Sequence, residues 1–140
     1  MIDASAVGLR HSLTVQVDES LTVPRVSPHF GFHDMPPVFA TAYLVGFVEA
    51  ACIDALKPFL TDREKTLGVH VDLSHSAATP VGMSVTAEVE LVSVEGRRLR
   101  FRVECRDDAD VICAGFHERY LIDAAKFLER VKTKGARVSG

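Results

Sequence analysis

The stretch DMPPVFATAYLVGFVEAACIDALKPFL, residues 34–60, decides the fold. Asp34 is a capping residue type, Pro36 and Pro37 suit the first turn of a helix, and Pro58 ends the pattern. Between these marks the chain is apolar nearly all round, and a helix of that kind is buried on most of its sides. Thr41, Glu49 and Asp54 interrupt the apolar run. They make it too polar to span a membrane and fit a buried core helix.

The segments on either side follow the two-residue period of strands. Upstream, Leu9, Leu13, Val15 and Val17 share one face of residues 9–17, and the Pro-containing stretch 20–33 is irregular. Downstream, the alternation predicts strands over 68–77, 85–94, 99–105 and 111–122. Glu95-Gly96 and residues 107–110 supply the turns between the last three. Residues 123–134 read as a short amphipathic helix, with 135–140 a tail. One strand, one buried helix and four consecutive strands make a single α+β domain over 1–140. The four strands are expected to form an antiparallel meander whose apolar face the helix covers.

The bulk numbers bound the function. At 140 residues the chain supports one core without a staple. Sixteen basic and nineteen acidic residues give a net charge of -3, not the basic surplus of a nucleic-acid or anionic-membrane binder. Three cysteines, an odd count with no CxxC, fit a reducing compartment better than a disulfide framework. The first residues lack a basic segment followed by an apolar core, so a cytoplasmic protein is expected. There is no GxSxG, P-loop or GxGxxG. His29 and His33 flank Phe30, Gly31 and Phe32 in a segment without helical character, which is a poor metal pair, and no metal is expected.

A few polar residues stand out against this apolar frame. Glu49 lies among Phe47, Val48, Ala50 and Ala51, where desolvation raises a carboxyl pKa unless a partner compensates. It has either a chemical role or a structural partner such as an arginine. Thr41 lies near the helix start, where unpaired amides can hold an oxyanion; equally, its hydroxyl can satisfy the backbone there. His75 shares parity with Val69, Val71 and Leu73, so it is expected on the inner face, either meeting Glu49 as an acid–base partner or as a satisfied core histidine. His70 has the opposite parity and is expected to face outward. Arg119 is placed to neutralise Glu49 or a substrate anion, or to lie exposed on its strand. The arginines at 97, 98, 100 and 102 fit either the phosphates of a ligand or a solvated sheet face. Cys52 reads as core packing.

The chain resembles the fluoroacetyl-CoA thioesterase family, a branch of the hot-dog-fold thioesterases. The resemblance is carried by Val38-Phe39-Ala40-Thr41 and by Gly46-Phe47-Val48-Glu49-Ala50-Ala51-Cys52. It continues in His75-Ser76-Ala77-Ala78-Thr79-Pro80 with Gly82, in Ser93-Val94-Glu95-Gly96-Arg97-Arg98-Leu99 and in His117-Glu118-Arg119. Order and spacing match from about residue 10 to 130. The resemblance implies a sheet wrapped around one long helix, hydrolysis of a short or medium acyl-CoA thioester, and no cofactor beyond CoA as part of the substrate. It implies a catalytic set at Thr41, Glu49 and His75, with the active-site glycine at Gly68 and arginine at Arg119. The site would form at the interface of a homodimer, with a tetramer the alternative. The family's fluoroacetate-specific members carry two gate phenylalanines before the helix. Phe32 matches the first, and Met35 stands at the second. Two other readings remain: a non-catalytic acyl-CoA-binding hot-dog module, and an enoyl-thioester hydratase, whose Asp/His motif is not found.

Overall fold

The computed structural model describes residues 2–139. Its main elements are β1 (Arg10–Gln16), α1 (Thr41–Leu56), β2 (Glu64–Leu73), β3 (Ser84–Glu95), β4 (Arg98–Arg106), β5 (Val111–Asp123) and α2 (Ala124–Ser139). The five strands form one antiparallel sheet in the order β1-β3-β4-β5-β2. The inner-face residues Val85, Ala87, Val89, Leu91, Leu99, Phe101, Val103 and Leu121 are buried. They share one core with Leu44, Val48, Ala51, Cys52, Ala55 and Leu56 of α1. The helix thus fills the concave side of the sheet, in the hot-dog arrangement the resemblance implies.

The expected four-strand meander is corrected to three. β3, β4 and β5 are sequential neighbours, but β2 pairs with β5 at the far edge, and β1 takes the free edge of β3. The connection between β2 and β3, residues 74–83, is far longer than a hairpin turn and lets the chain cross the sheet. The β3–β4 link is a true hairpin: Glu95 faces Arg98 in the ladder, and Gly96 supplies the left-handed conformation at φ 61°.

α1 begins at Thr41, later than the Asp34 cap and the prolines predict. A residue before proline is pushed out of the helical region, which disfavours Met35 and Pro36 as helical residues. The next residues are held extended instead: Phe39 N–H donates to Thr79 O, Ala40 N–H to Leu21 O, and Val38 bridges Pro80. Pro58 ends the helix as expected, in a 3-10 turn over Lys57–Phe59. The helix is also less enclosed than its composition predicts, since Thr41, Ala42, Gly46, Ala50 and Ile53 are exposed along one side. α2, capped by the Asp123 carboxylate on Lys126 N–H, runs through Ser139 rather than stopping near 134.

β2 spans residues 64–73 rather than 68–77. Its expected end still follows β5, because Ser74 N–H donates to Ala114 O and Ser76 N–H to Ile112 O. A bulge lies between Gly68 and His70. Directly paired residues of an antiparallel ladder point to the same side. Val71 pairs with His117 and Leu73 with Gly115, so odd positions face inward after the bulge. Gly68 pairs with Arg119, so even positions face inward before it. The single inward parity expected for Val69, Val71, Leu73 and His75 therefore holds only from Val71 onward.

Candidate active site

His75 reaches the start of α1 because the two backbone bonds at Ser74 and Ser76 keep it in phase with Val71 and Leu73. Its Nδ1 lies 2.7 Å from Thr41 Oγ1. The Phe39 ring meets the imidazole edge-on, with centroids 6.5 Å apart. Nε2 is buried and has no hydrogen-bond partner. Burial lowers the His75 pKa, so the ring is neutral at neutral pH and one nitrogen keeps a lone pair. No side chain caps α1, and the first backbone bond into the helix is Leu44 N–H to Ala40 O. The amides of the first turn thus have no intrahelical acceptor or side-chain cap.

A second cluster forms farther along the same helix. Glu49 Oε2 accepts a 2.8 Å hydrogen bond from Arg119 Nη1. Arg119 is buried, while the Glu49 side chain remains 37% exposed. Glu49 is therefore neither unpaired nor fully buried, and the arginine partner foreseen as its structural alternative is the one it has. The guanidinium is fixed from β2 as well: Nε donates to Thr66 Oγ1 and Nη2 to Thr66 O, each at 2.8 Å. Gly68 makes the approach possible, since a Cβ there would sit 2.7 Å from Glu49 Oε2 and 3.4 Å from Arg119 Nη1.

His117 completes this cluster and was not singled out from the sequence as a site residue. Its Nδ1 lies 2.8 Å from His70 O, and its Nε2 lies 3.1 Å from Arg119 Nη1. The signal was legible in β5, where His117 and Arg119 are polar at alternate positions of a stripe that continues with Leu121 to the inner face. His70 itself is exposed, as its parity predicts, and contributes only its carbonyl.

Thr41 and His75 thus come together, and so do Glu49, Gly68 and Arg119. The expected Glu49–His75 pair does not form within the protomer: His75 bonds Thr41, and Glu49 bonds Arg119. Thr41 and Glu49 are eight residues apart on α1, roughly 12 Å along its axis. Phe32 and Met35 lie exposed in the loop before α1, where the Phe32 ring packs 6.0 Å from that of Phe30.

The arginine row on the outer face is largely neutralised. Arg98 and Arg100 both bind the Glu118 carboxylate, Arg102 binds Glu90, and Arg97 donates to Leu121 O. All three cysteines are free and buried. Burial pushes the Cys52 thiol up to about 12, which makes it a poor nucleophile. Among the described residues, no group of three His, Cys, Asp or Glu is gathered to hold a metal ion, and no helix is long and apolar enough to cross a membrane. A cavity of about 670 Å³ over β1, β3 and β4, lined by residues such as Arg10, Ser12, Glu88 and Glu104, includes Arg102 of the arginine row but none of Thr41, Glu49, Gly68, His75 and Arg119. A smaller one, about 350 Å³, shares Thr66 with the Arg119 cluster and is lined also by Ile53, Leu60, Lys57 and Lys65.

Comparison with known proteins bears on this geometry. The sequence profile of the fluoroacetyl-CoA-specific thioesterases matches residues 17–125. The chain belongs to the fluoroacetyl-CoA-specific thioesterase family. It is a thioesterase of the hot-dog fold. A relative in this family, the fluoroacetyl-CoA thioesterase of Streptantibioticus cattleyicolor, is 42% identical over 96% of this chain and 97% of its own. A solved structure of a fluoroacetyl-CoA thioesterase superposes with a TM-score of 0.90 at 42% identity, over 94% of this chain and 98% of that one. A thioesterase superfamily member from Thermus thermophilus gives a TM-score of 0.84 at 27% identity, over 95% of each chain.

Proposed function

We propose that the protein hydrolyses a short or medium acyl-CoA thioester to the free acid and CoA, using Thr41, Glu49 and His75 at the interface of a homodimer. The observation that carries this reading is the His75 ring: one nitrogen bonds Thr41, and the other is buried without a partner at the free start of a helix. A neutral imidazole with an unused nitrogen beside a hydroxyl and unpaired amides is suited to proton transfer next to an oxyanion.

The dimer reading rests on surfaces the protomer leaves open. β2 is an edge strand, and Leu67, Val69 and Val71 along it are exposed. The uncovered side of α1 lies next to it, with Thr41, Ala42, Gly46 and Ala50. An open apolar edge of this kind is ordinarily covered by a second copy. A two-fold axis along this surface sets one subunit's Thr41–His75 pair against the Glu49–Arg119 pair of the other. The two half-sites, separate within one protomer, then make one site.

In this mechanism His75 carries its proton on Nδ1 and donates it to Thr41 Oγ1. Thr41 keeps its own proton for the thioester oxygen, and the amides at the start of α1 add to the oxyanion hole. Attack on the carbonyl carbon comes either from a water whose proton passes to Glu49, or from Glu49 itself with a mixed anhydride as intermediate. Collapse of the tetrahedral adduct breaks the carbon–sulfur bond, and His75 Nε2 relays a proton to the departing thiolate: in the water route it is the one Glu49 accepted, which restores the carboxylate, and in the covalent route it comes from the second water. In the covalent route a second water opens the anhydride and restores the carboxylate. Single turnover in heavy-oxygen water separates the routes, since label in Glu49 marks the anhydride. Met35 in the gate position gives a flexible lid, which favours an acyl group other than fluoroacetyl.

The test is free-thiol release from acetyl-, fluoroacetyl-, propionyl-, butyryl-, hexanoyl-, phenylacetyl- and aroyl-CoA. Turnover of at least one is expected. Binding of these esters without release of thiol overturns the enzymatic reading in favour of a non-catalytic acyl-CoA-binding module.

A further inference from the structure

We propose that His117 is a positioning residue which, through the lone pair of its Nε2, fixes Arg119 and thereby the direction of the Glu49 carboxylate. The proposal rests on the reading of Glu49 as the group that acts on the thioester.

The hydrogen bonds assign the ring's proton. His70 O is a carbonyl and only accepts, so His117 Nδ1, 2.8 Å away, carries the hydrogen. Arg119 is only a donor, so His117 Nε2, 3.1 Å from Nη1, accepts through its lone pair. Nη1 has two hydrogens, and the second goes to Glu49 Oε2. The remaining contacts, Nε to Thr66 Oγ1 and Nη2 to Thr66 O, set the guanidinium plane. His117 adds a third anchor, on Nη1 itself, beside the hydrogen that binds Glu49. The β2 bulge belongs to the same device, because it falls between Gly68, which borders Glu49, and His70, whose carbonyl holds the ring.

A ring buried only for packing has no need of this tautomer. The groups facing it are Glu49 from α1, Arg119 on its own strand, the His70 carbonyl from β2, and uncharged Phe101 paired across from it on β4; Glu118, its neighbour in the strand, lies on the outer face with Arg98 and Arg100 and acts only through its charge. Burial and Arg119 both favour the neutral form, which leaves the Nε2 lone pair available. A second proton on the ring would set N–H against N–H and turn Arg119 away from Glu49.

The experiment combines long-range nitrogen–proton NMR of the histidine rings in the full-length protein with turnover of two variants. His117→Gln can place an amide oxygen near the position of Nε2, whereas His117→Leu fills the space without an acceptor. The expected ring signature at pH 7 is a neutral Nδ1–H tautomer, identified by its loss in either variant. The expected turnover is a fall in kcat of about tenfold or more for Leu with KM little changed, and substantial recovery in Gln. An Nε2–H or charged ring at pH 7 overturns the proposal, and so does a Leu variant with the kcat of the parent. Should Leu fail to fold, Gln alone still judges it, because full loss of kcat in folded Gln protein contradicts it whichever tautomer the parent shows. The NMR readout needs no turnover, so a protein that hydrolyses no acyl-CoA would defeat the proposed function while leaving the His117–Arg119 geometry open to the same test.

Discussion

Gly68 and Glu49 are in contact across the β2–α1 boundary: a Cβ on Gly68 would stand 2.7 Å from Glu49 Oε2. The backbone of Gly68 raises no objection to alanine, since its φ is not in the left-handed region, so the conflict is with side chains: the carboxylate first, then the His117 ring, whose Cε1 would lie 3.3 Å away, and Arg119 Nη1 at 3.4 Å. Gly68→Ala should therefore move the carboxylate off Arg119 while leaving the fold intact. Displacement of a catalytic group by about 1 Å costs on the order of 100-fold in rate. We expect kcat to fall by about that factor, with a melting temperature close to the parent's. Unchanged kcat would show that the Glu49–Arg119 contact does not matter to turnover.

Gly115 gives the opposite outcome and serves as a contrast. Its φ is +148°, and an added Cβ would lie 2.0 Å from the Asp72 carbonyl oxygen, a backbone atom that cannot step aside. Gly115→Ala should destabilise the β2–β5 pairing by roughly 3 kcal/mol or more, from backbone strain plus the clash. Chemical denaturation measures this directly.

The proposed role of Thr41 rests on its hydroxyl, which meets His75 Nδ1, and not on its methyl. Removing an oxyanion donor typically costs about 100- to 1,000-fold in kcat. Thr41→Ala should fall in that range, and Thr41→Ser should keep most of the activity because Oγ still reaches His75 Nδ1. Equal losses in both variants would point to packing rather than to the hydroxyl.

Both inner-face histidines have lowered pKa values, His75 through burial and His117 through burial first and Arg119 beside it. Each therefore binds fewer protons in the folded than in the unfolded chain below the ordinary imidazole value of 6.5. By linkage, the stability associated with keeping them neutral is fully present above that value and is lost as pH falls toward the folded values. Melting temperature should drop on acidification below pH 6.5, and the drop should be shallower in His117→Gln. A steeper drop in that variant would contradict the sign of this argument.

A site divided between subunits makes a prediction about mixtures. Thr41→Ala and Glu49→Gln protomers, co-expressed, form mixed dimers in which one site carries both lesions and the other carries none. Random pairing then restores about a quarter of parental activity, since half the dimers are mixed and half their sites are intact. Activity no higher than that of the two separate variants would place Thr41 and Glu49 in the same subunit's site.

Much of this arrangement was legible in the chain before its structure. Glu49 betrays itself as a carboxylate in an apolar helix, and His75 by its phase with Val71 and Leu73. What the sequence hid depends on contacts between distant segments. The start of α1 is set by Thr79 and Leu21 accepting from Phe39 and Ala40, which no local pattern announces. The bulge beside Val69 reverses the facing of half of β2, so Gly68 reaches the site although simple alternation turns it outward. The pairing of β2 with β5 instead of β3 brings Thr66 and the His70 carbonyl to Arg119 and His117. Glu49 and His75 are held apart because His75 bonds Thr41 at the start of α1, eight residues before Glu49, and the proposed dimer is what would bring such groups together.

The most direct test of the account is turnover of the best acyl-CoA substrate by Glu49→Gln beside the parent protein. The amide keeps the shape of the side chain and an oxygen for Arg119, but it can neither take a proton from water nor attack the thioester. The account predicts a loss of thiol release of about 1,000-fold or more at unchanged melting temperature. A folded Glu49→Gln protein that turns over at the parental rate would contradict it.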